Sequence, residues 1–341
     1  MTKNIISAPH SFSRISGLGV YRPERVVTND EICERIDSSD EWIRERTGII
    51  ERRFADENTS IIDMASVAAE RAIKDAGLNV DDVDAIIVAT ISHPYQTPSA
   101  AVLVADRIGL KNPGAIDISA ACSGFCYALG IADGWIQTGQ SKNCLVIGVE
   151  KLTDWVDLTD RSTAFIFADG AGAVVVSQSE VPRISKTIWG SDGSEAEAII
   201  CMPDTLTAHK LGSDAPAPVL HMQGQKVFRW AVSEMVDVCQ QALDAAGVSA
   251  SDIALFVPHQ ANNRITDAML RGLNLPDSVH VARDIITAGN TSAASIPLAL
   301  DQLREAGVAK SGDLALLIGF GAGLAYAAQV VQLPRTPSFR A

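Results

Sequence analysis

Ala72 to Val88 reads AIKDAGLNVDDVDAIIV, and Ala242 to Val257 reads ALDAAGVSASDIALFV. The second stretch lies 170 residues after the first, close to half of a 341-residue chain. In each, an amphipathic helix runs to a glycine, Gly77 or Gly247, suited to the left-handed position just past a helix end. A short acidic link then leads into an apolar run with the length of a buried strand. Further on, SKNCLVIG from Ser141 parallels SGDLALLIG from Ser311. Between these, the helix opening near Cys122 (CSGFCYALGIADGW) aligns with the one opening near Asn290 (NTSAASIPLALDQL), and both carry an aspartate, Asp133 and Asp301. One weak match would mean little, because α/β proteins reuse the same helix–strand grammar. Several matches in one order at nearly one spacing point to duplication. The expected architecture is α/β, with two similar halves, 1–178 and 179–341, packed face to face. Cys122 and Asn290 then stand at equivalent helix starts, and sites often form where such halves meet.

Composition fits this reading. Apolar residues make up 47% of the chain and aromatics only 5%, which suits α/β layers better than an all-β sandwich. The net charge of -13 comes with no long Lys/Arg run. Nucleic acid and anionic lipid are therefore not expected partners, and an acidic protein partner would need a local basic patch. The six cysteines (Cys33, Cys122, Cys126, Cys144, Cys201 and Cys239) are scattered, with no CxxC pair. The residues before Ser13 lack the apolar core of a signal peptide. A disulfide framework or zinc site is not expected, and a reducing cytoplasm is. Leu314 to Leu333 (LALLIGFGAGLAYAAQVVQL) has the length of a membrane helix. Its central GFGAG and the late Gln329 and Gln332 instead read as two buried strands joined by a glycine turn.

Three motifs carry the chemistry. GAIDISA from Gly114 reads as a buried strand and runs directly into Ala121-Cys122-Ser123-Gly124 and a helix. Cys122 thus sits at a strand-to-helix turn of small residues, akin to a nucleophile elbow. A helix N-terminus lowers a thiol pKa, so a thiolate is expected at neutral pH. The other cysteines read as small core residues. Downstream, the strand Asp252 to Val257 delivers Pro258-His259-Gln260-Ala261-Asn262 into a helix, placing His259 at a strand's carboxyl end, where α/β folds bind ligands. His10, His93, His209, His221 and His280 fall in loops or less defined contexts. Lastly, Gly289-Asn290-Thr291-Ser292 opens another helix, where Asn290 reads as an N-cap, a catalytic donor, or both.

ACSGF, VPHQAN and GNTSAAS, with DEWIRERTGI from Asp40 and the late GFGAG, closely resemble the beta-ketoacyl-ACP synthase III family, from about Ile15 to Leu333. The resemblance implies a homodimer with a duplicated thiolase-like fold in five layers, α/β/α/β/α. Elongating ketosynthases carry Cys-His-His, whereas Asn290 stands third here. Thiolases need a late second cysteine, and none follows Cys239. Plant-type polyketide synthases share Cys-His-Asn and a GFGPG-like turn, but not the sequence around DEWIRERTGI. Papain-like proteases show Cys, His and Asn in this order without the duplicated pattern, and their local signature is missing here. A non-catalytic acyl-binding paralogue is a third reading, opposed by the intact triad.

What the resemblance implies is a ping-pong acyl transfer. Cys122 takes the acyl group of an acyl-CoA, malonyl-ACP loses carbon dioxide, and its enolate attacks to give 3-oxoacyl-ACP. Backbone N–H groups of Cys122 and Ala322 would form the oxyanion hole, while His259 and Asn290 donate to the malonyl thioester oxygen. No metal or redox cofactor is required. Ser38, Trp42, Arg46, Arg161, Met222, Gly224 and Asn262 would meet CoA, with Trp42 stacked on the adenine. Arg229, Arg264 and Arg271 would hold the acidic carrier protein, or equally form ordinary surface ion pairs. Thr97 falls where family members reach across the dimer to the end of the partner's acyl pocket. Acetyl-restricted members tend to carry phenylalanine there, so threonine implies a longer or branched primer, unless it simply caps the following helix.

Overall fold

Two five-stranded sheets, both mixed, form the frame of the computed structural model, which describes residues 11–334. The segment 1–10, on which the reading of a leader peptide rests, and His10 within it lie outside the described residues. The first sheet holds β1 (Phe12–Tyr21), β2 (Ala85–Ala89), β3 (Gly114–Ile118), β4 (Asn143–Lys151) and β5 (Asp169–Ser179), in the order β1-β5-β4-β2-β3. The second holds β6 (Ile188–Ser191), β7 (Leu255–Pro258), β8 (His280–Val281), β9 (Leu314–Gly321) and β10 (Ala325–Gln332), in the order β6-β10-β9-β7-β8. The two orders match strand for strand. Pairing senses match too: β1/β5 and β5/β4 are antiparallel while β4/β2 and β2/β3 are parallel. Likewise β6/β10 and β10/β9 are antiparallel, and β9/β7 and β7/β8 are parallel.

Seven helices matter for the site: α1 (Asp40–Thr47), α2 (Ile61–Asp75), α3 (Ala100–Arg107), α4 (Gly124–Gln137), α5 (Gly224–Ala246), α6 (Asn263–Leu273) and α7 (Ser295–Glu305). Strand periodicity assigns their layers. In β4, Cys144 and Val146 face a core shared with α4, α7 and the second sheet, while Leu145, Ile147 and Val149 face α2 and α3. In β9, Ala315 and Leu317 face the same central core, while Leu316, Ile318 and Phe320 face α5 and α6. Strands buried on both faces read as unbroken apolar runs. The result is five layers: α2 and α3, a sheet, α4 and α7, a sheet, then α5 and α6. Leu314 to Leu333 is accordingly a hairpin, with Leu314 opposite Gln332 and Gly321 opposite Ala325. No helix among the described residues is long and apolar enough to cross a membrane.

The repeat also holds in detail. Gly77 (φ 69°) and Gly247 (φ 68°) both end their helices in the left-handed region. Leu78 N–H bonds Ile73 O at 3.1 Å, and Val248 N–H bonds Leu243 O at 3.2 Å, the same closing bond in each half. One expected equivalence needs correction. The turn before α4 is Ala121–Ser123 and the turn before α7 is Ser292–Ala294. Ala121 (φ 44°) and Ser292 (φ 48°) share the rare left-handed backbone, so Cys122 corresponds to Ala293. Asn290 comes two residues before its turn, and Asp133 and Asp301 are not counterparts. Turn geometry, not shared residue type, sets the register.

Candidate active site

Each central turn reaches the opposite sheet through a glycine. A Cβ on Gly148 of β4 would lie 2.2 Å from Ala293 O, and one on Gly319 of β9 would lie 2.8 Å from Ser123 Cα. A Cβ on Gly321 would lie 2.9 Å from Cys122 Sγ. The glycines of GFGAG therefore admit the Cys122 turn of the first half onto the last hairpin of the second. Cys122 is 9% exposed there.

His259 follows β7 directly, its N–H bonded to Ile318 O at 2.7 Å. Its Nδ1 lies 2.7 Å from Ser295 Oγ, the first residue of α7, and its ring meets Phe320 edge-on at 5.4 Å. Ser295 Oγ also accepts from Gln260 N–H at 3.4 Å, so its own proton is free to go to Nδ1. That arrangement keeps the proton of a neutral imidazole on Nε2. Asn290 is held by its backbone: its N–H donates to Ile166 O and its O accepts from Ala168 N–H, both at 2.9 Å. Its Oδ1 accepts from Ser292 N–H at 2.8 Å, which leaves Nδ2 to donate elsewhere. The side chain is therefore no helix N-cap, since α7 begins at Ser295.

Burial controls the protonation states. It pushes the Cys122 thiol up to about 12, outweighing the Ser292 hydroxyl and the Cys122 N–H, which pull it down. It pushes His259 down to about 3. The same burial keeps the imidazole neutral and opposes the thiolate expected at Cys122. Desolvation of the buried sulfur works against the thiolate and exceeds what one short turn supplies.

One cavity of about 660 Å³ gathers Cys122, His259, Asn290 and Ala322. Trp42, Arg46, Arg161, Met222, Gly224 and Asn262 line it as well. Two guanidinium groups approach the Trp42 ring, Arg161 at 5.0 Å and Arg46 at 5.9 Å, and the ring meets Phe165 edge-on. Asn262 is occupied structurally: its Oδ1 caps α6 through Arg264 N–H, and its Nδ2 donates to Arg46 O at 3.0 Å. Arg229 and Arg264 also line the cavity, Arg264 resting 5.4 Å over Phe228. Ser38, Arg271 and Thr97 do not line it. Arg271 and Thr97 are exposed, and Ser99 caps α3 in place of Thr97. No group of three or more His, Cys, Asp or Glu side chains among the described residues could hold a metal ion.

Comparison with known proteins agrees with this geometry. Residues 116–193 match the family model for 3-oxoacyl-[acyl-carrier-protein (ACP)] synthase III, and residues 243–333 match the model for its C-terminal part. The beta-ketoacyl-[acyl-carrier-protein] synthase III of Streptomyces glaucescens is 54% identical over 325 residues, 95% of this chain and 97% of that one. The chain belongs to the beta-ketoacyl-ACP synthase III family. The mycobacterial beta-ketoacyl-[acyl-carrier-protein] synthase III of Mycobacterium marinum is 53% identical over 98% of this chain and 100% of its own. Among solved structures, the priming beta-ketosynthase from the R1128 polyketide biosynthetic pathway superposes with a TM-score of 0.95 at 43% identity, covering 98% of this chain and 100% of that one. The fold is thus thiolase-like and duplicated. The activity is that of a condensing acyltransferase that initiates fatty-acid synthesis.

Three polar residues of this synthase escaped the sequence reading. Ser292 and Ser295 lay inside the quoted GNTSAAS, but nothing in the motif says which one meets His259. Glu150 ends the apolar run of β4 and is fully buried. An acidic residue closing an apolar strand was the available signal.

Proposed function

We propose that this synthase III takes its primer from acyl-CoA onto Cys122 and condenses it with malonyl-ACP. The observation that carries this is one cavity walled by Cys122 from the first half and by His259, Asn290 and Ala322 from the second. Cys122 is the nucleophile. The N–H groups of Cys122 and Ala322 stabilise the oxyanion as CoA departs. His259, neutral and with its proton on Nε2, and Asn290 through Nδ2 donate to the malonyl thioester oxygen as the enolate forms. The thioester brings its own leaving group and decarboxylation drives the second step, so the reaction calls for no cofactor. Trp42 with Arg46 and Arg161 beside it suits an adenine nucleotide bearing phosphates. An acyl-CoA panel varied in length and branching, run with malonyl-ACP, tests the function: kcat/KM should depend on the second substrate, and free acid released without it would instead indicate a hydrolase.

The carrier protein is assigned to the basic rim. Arg264 and Arg229 stand at the cavity, and Arg271 lies further along α6. Arg264→Glu should raise KM for malonyl-ACP far more than for malonyl-CoA, with Arg271→Glu acting in the same direction more weakly. Only the carrier presents an acidic surface to this rim, and added salt should weaken the wild-type interaction likewise. Equal losses with both donors would remove the assignment.

The active form is proposed to be a homodimer in the cytoplasm. Tyr95 (64% exposed), Val102 (46%) and Ile116 (38%) leave an apolar surface beside the edge strand β3, which suits a second copy. All six cysteines are free, as a reducing compartment requires. In such a dimer Thr97, exposed in one protomer, would close the end of the partner's acyl pocket. Each extra buried methylene contributes roughly 0.8 kcal/mol, so a few carbons shift preference strongly. Thr97→Phe should cut activity with long or branched acyl-CoA while sparing acetyl-CoA, and an unchanged chain-length profile would refute the gate.

A further inference from the structure

Among the described residues, Arg52 is the largest fully buried side chain. It belongs to a short antiparallel pair of strands, Arg25–Thr28 and Glu51–Phe54. Its guanidinium donates to three neutral oxygens: Val27 O at 3.1 Å, Asn29 Oδ1 at 2.5 Å and Phe165 O at 3.0 Å. Desolvation draws its pKa down to about 10, which still leaves a cation at neutral pH. Burying a cation among neutral oxygens is unfavourable compared with an apolar side chain, so its placement needs a reason.

The contacts supply one, because they lead to two walls of the catalytic cavity. On one side, the buried Asn29 passes the interaction on: its Nδ2 donates to Asp40 Oδ1 and to Ile49 O, both at 2.8 Å. Asp40 opens α1, which carries Trp42 and Arg46, and Ile49 follows it. On the other side, Phe165 lines the cavity and meets the Trp42 ring edge-on at 5.4 Å. The next two residues hold Asn290: Ile166 O accepts the Asn290 N–H, and Phe167 pairs with Asn290 in an isolated parallel bridge. Gly289, just before Asn290, has a φ of 72°, and a Cβ there would lie 2.8 Å from Arg52 Cβ. The stem of Arg52 therefore packs directly against the backbone that turns into Asn290.

We propose that Arg52 is a positioning residue that fixes the Trp42 wall and the Asn290 donor relative to each other across the cavity. The flat guanidinium fork reaches oxygens on two segments at once while the stem backs a third. A lysine ammonium is a single point charge and cannot reproduce that. Arg52 itself does not line the cavity. It acts through Asn29 and Asp40 on one side and through Phe165 and Gly289 on the other. None of its three hydrogen bonds goes to the Cys122 turn, so attack by the thiol does not depend on it.

This inference rests on the reading of Trp42 as the nucleotide contact and Asn290 as the condensation donor, and its test separates the two. Single-turnover acylation by butyryl-CoA gives a maximal rate and a half-saturating concentration, and carbon dioxide release from malonyl-ACP by the acyl-enzyme gives the second step. Arg52→Lys should raise the half-saturating butyryl-CoA concentration several-fold and slow decarboxylation on the order of 10²-fold, while the maximal acylation rate holds. Asn29→Ala cuts only the arm to α1, so it should raise the half-saturating concentration and spare decarboxylation. That variant keeps the test open if Arg52→Lys fails to fold. A merely structural arginine predicts a lowered Tm with both steps unchanged in the folded enzyme, or both slowed alike. Either result, or an Asn29→Ala enzyme with wild-type half-saturation, overturns the positioning role alone. Trp42→Ala with unchanged half-saturation, or Asn290→Ala with unchanged decarboxylation, overturns the site reading and the inference with it.

Discussion

Cys122→Ala should form no acyl-enzyme with any acyl-CoA. No other cysteine can stand in, because neither Cys126 nor any of the rest lines the cavity. Removing a nucleophile of this kind costs on the order of 10⁶ in kcat. The fold should survive, since alanine fits the small-residue turn and Gly321 already leaves room only for a compact side chain. Intact-protein mass spectrometry reads the result as loss of the acyl adduct, with circular dichroism confirming the folded state. An adduct of normal yield on the variant would place the nucleophile elsewhere.

The second large effect divides the reaction into its halves. His259→Ala and Asn290→Ala should still accept an acyl group, yet lose decarboxylation and condensation by about 10²–10³ for each donor removed. Asn290 is tied to the fold through its backbone N–H and carbonyl, both of which alanine keeps. Only its Oδ1 contact with Ser292 N–H and the Nδ2 donor are lost. His259 cannot act as a cation, because burial holds it neutral through the whole working range of pH. Condensation in the wild type should therefore show no loss of rate between pH 6 and 8 attributable to this imidazole. Single-turnover acylation and malonyl-ACP decarboxylation, measured separately, decide the matter. A defect of Asn290→Ala confined to acylation would reverse the assigned roles.

Much of this was legible in the chain because it depends on local rules. Gly77 and Gly247 end equivalent helices for a backbone reason that only glycine meets easily, so the repeat showed at those positions. GFGAG marked a hairpin because a membrane helix would not place glycines where two strands must turn and admit a neighbour. The alignment of Cys122 with Asn290 failed because the shared feature of the two turns is the left-handed backbone of Ala121 and Ser292, which residue identity hides. The burial that opposes the thiolate was missed for a different reason. Desolvation depends on what the other half of the molecule brings to the sulfur, here Gly321 and the last hairpin. Ser295 against His259 is likewise a contact between distant segments. Thr97, Arg271 and Ser38 show the converse: carried over by resemblance, they do not line the cavity of the single chain.

A covalent acyl-Cys122 intermediate should be consumed only by malonyl-ACP. Its most direct test is intact-protein mass spectrometry of the enzyme mixed with acyl-CoA and then chased with malonyl-ACP. A stable adduct with the mass of the acyl group, located at Cys122, should form. On the chase it should disappear as carbon dioxide and 3-oxoacyl-ACP form in equal amounts. An adduct that decays to free acid without malonyl-ACP, or condensation with no adduct at Cys122, would contradict it.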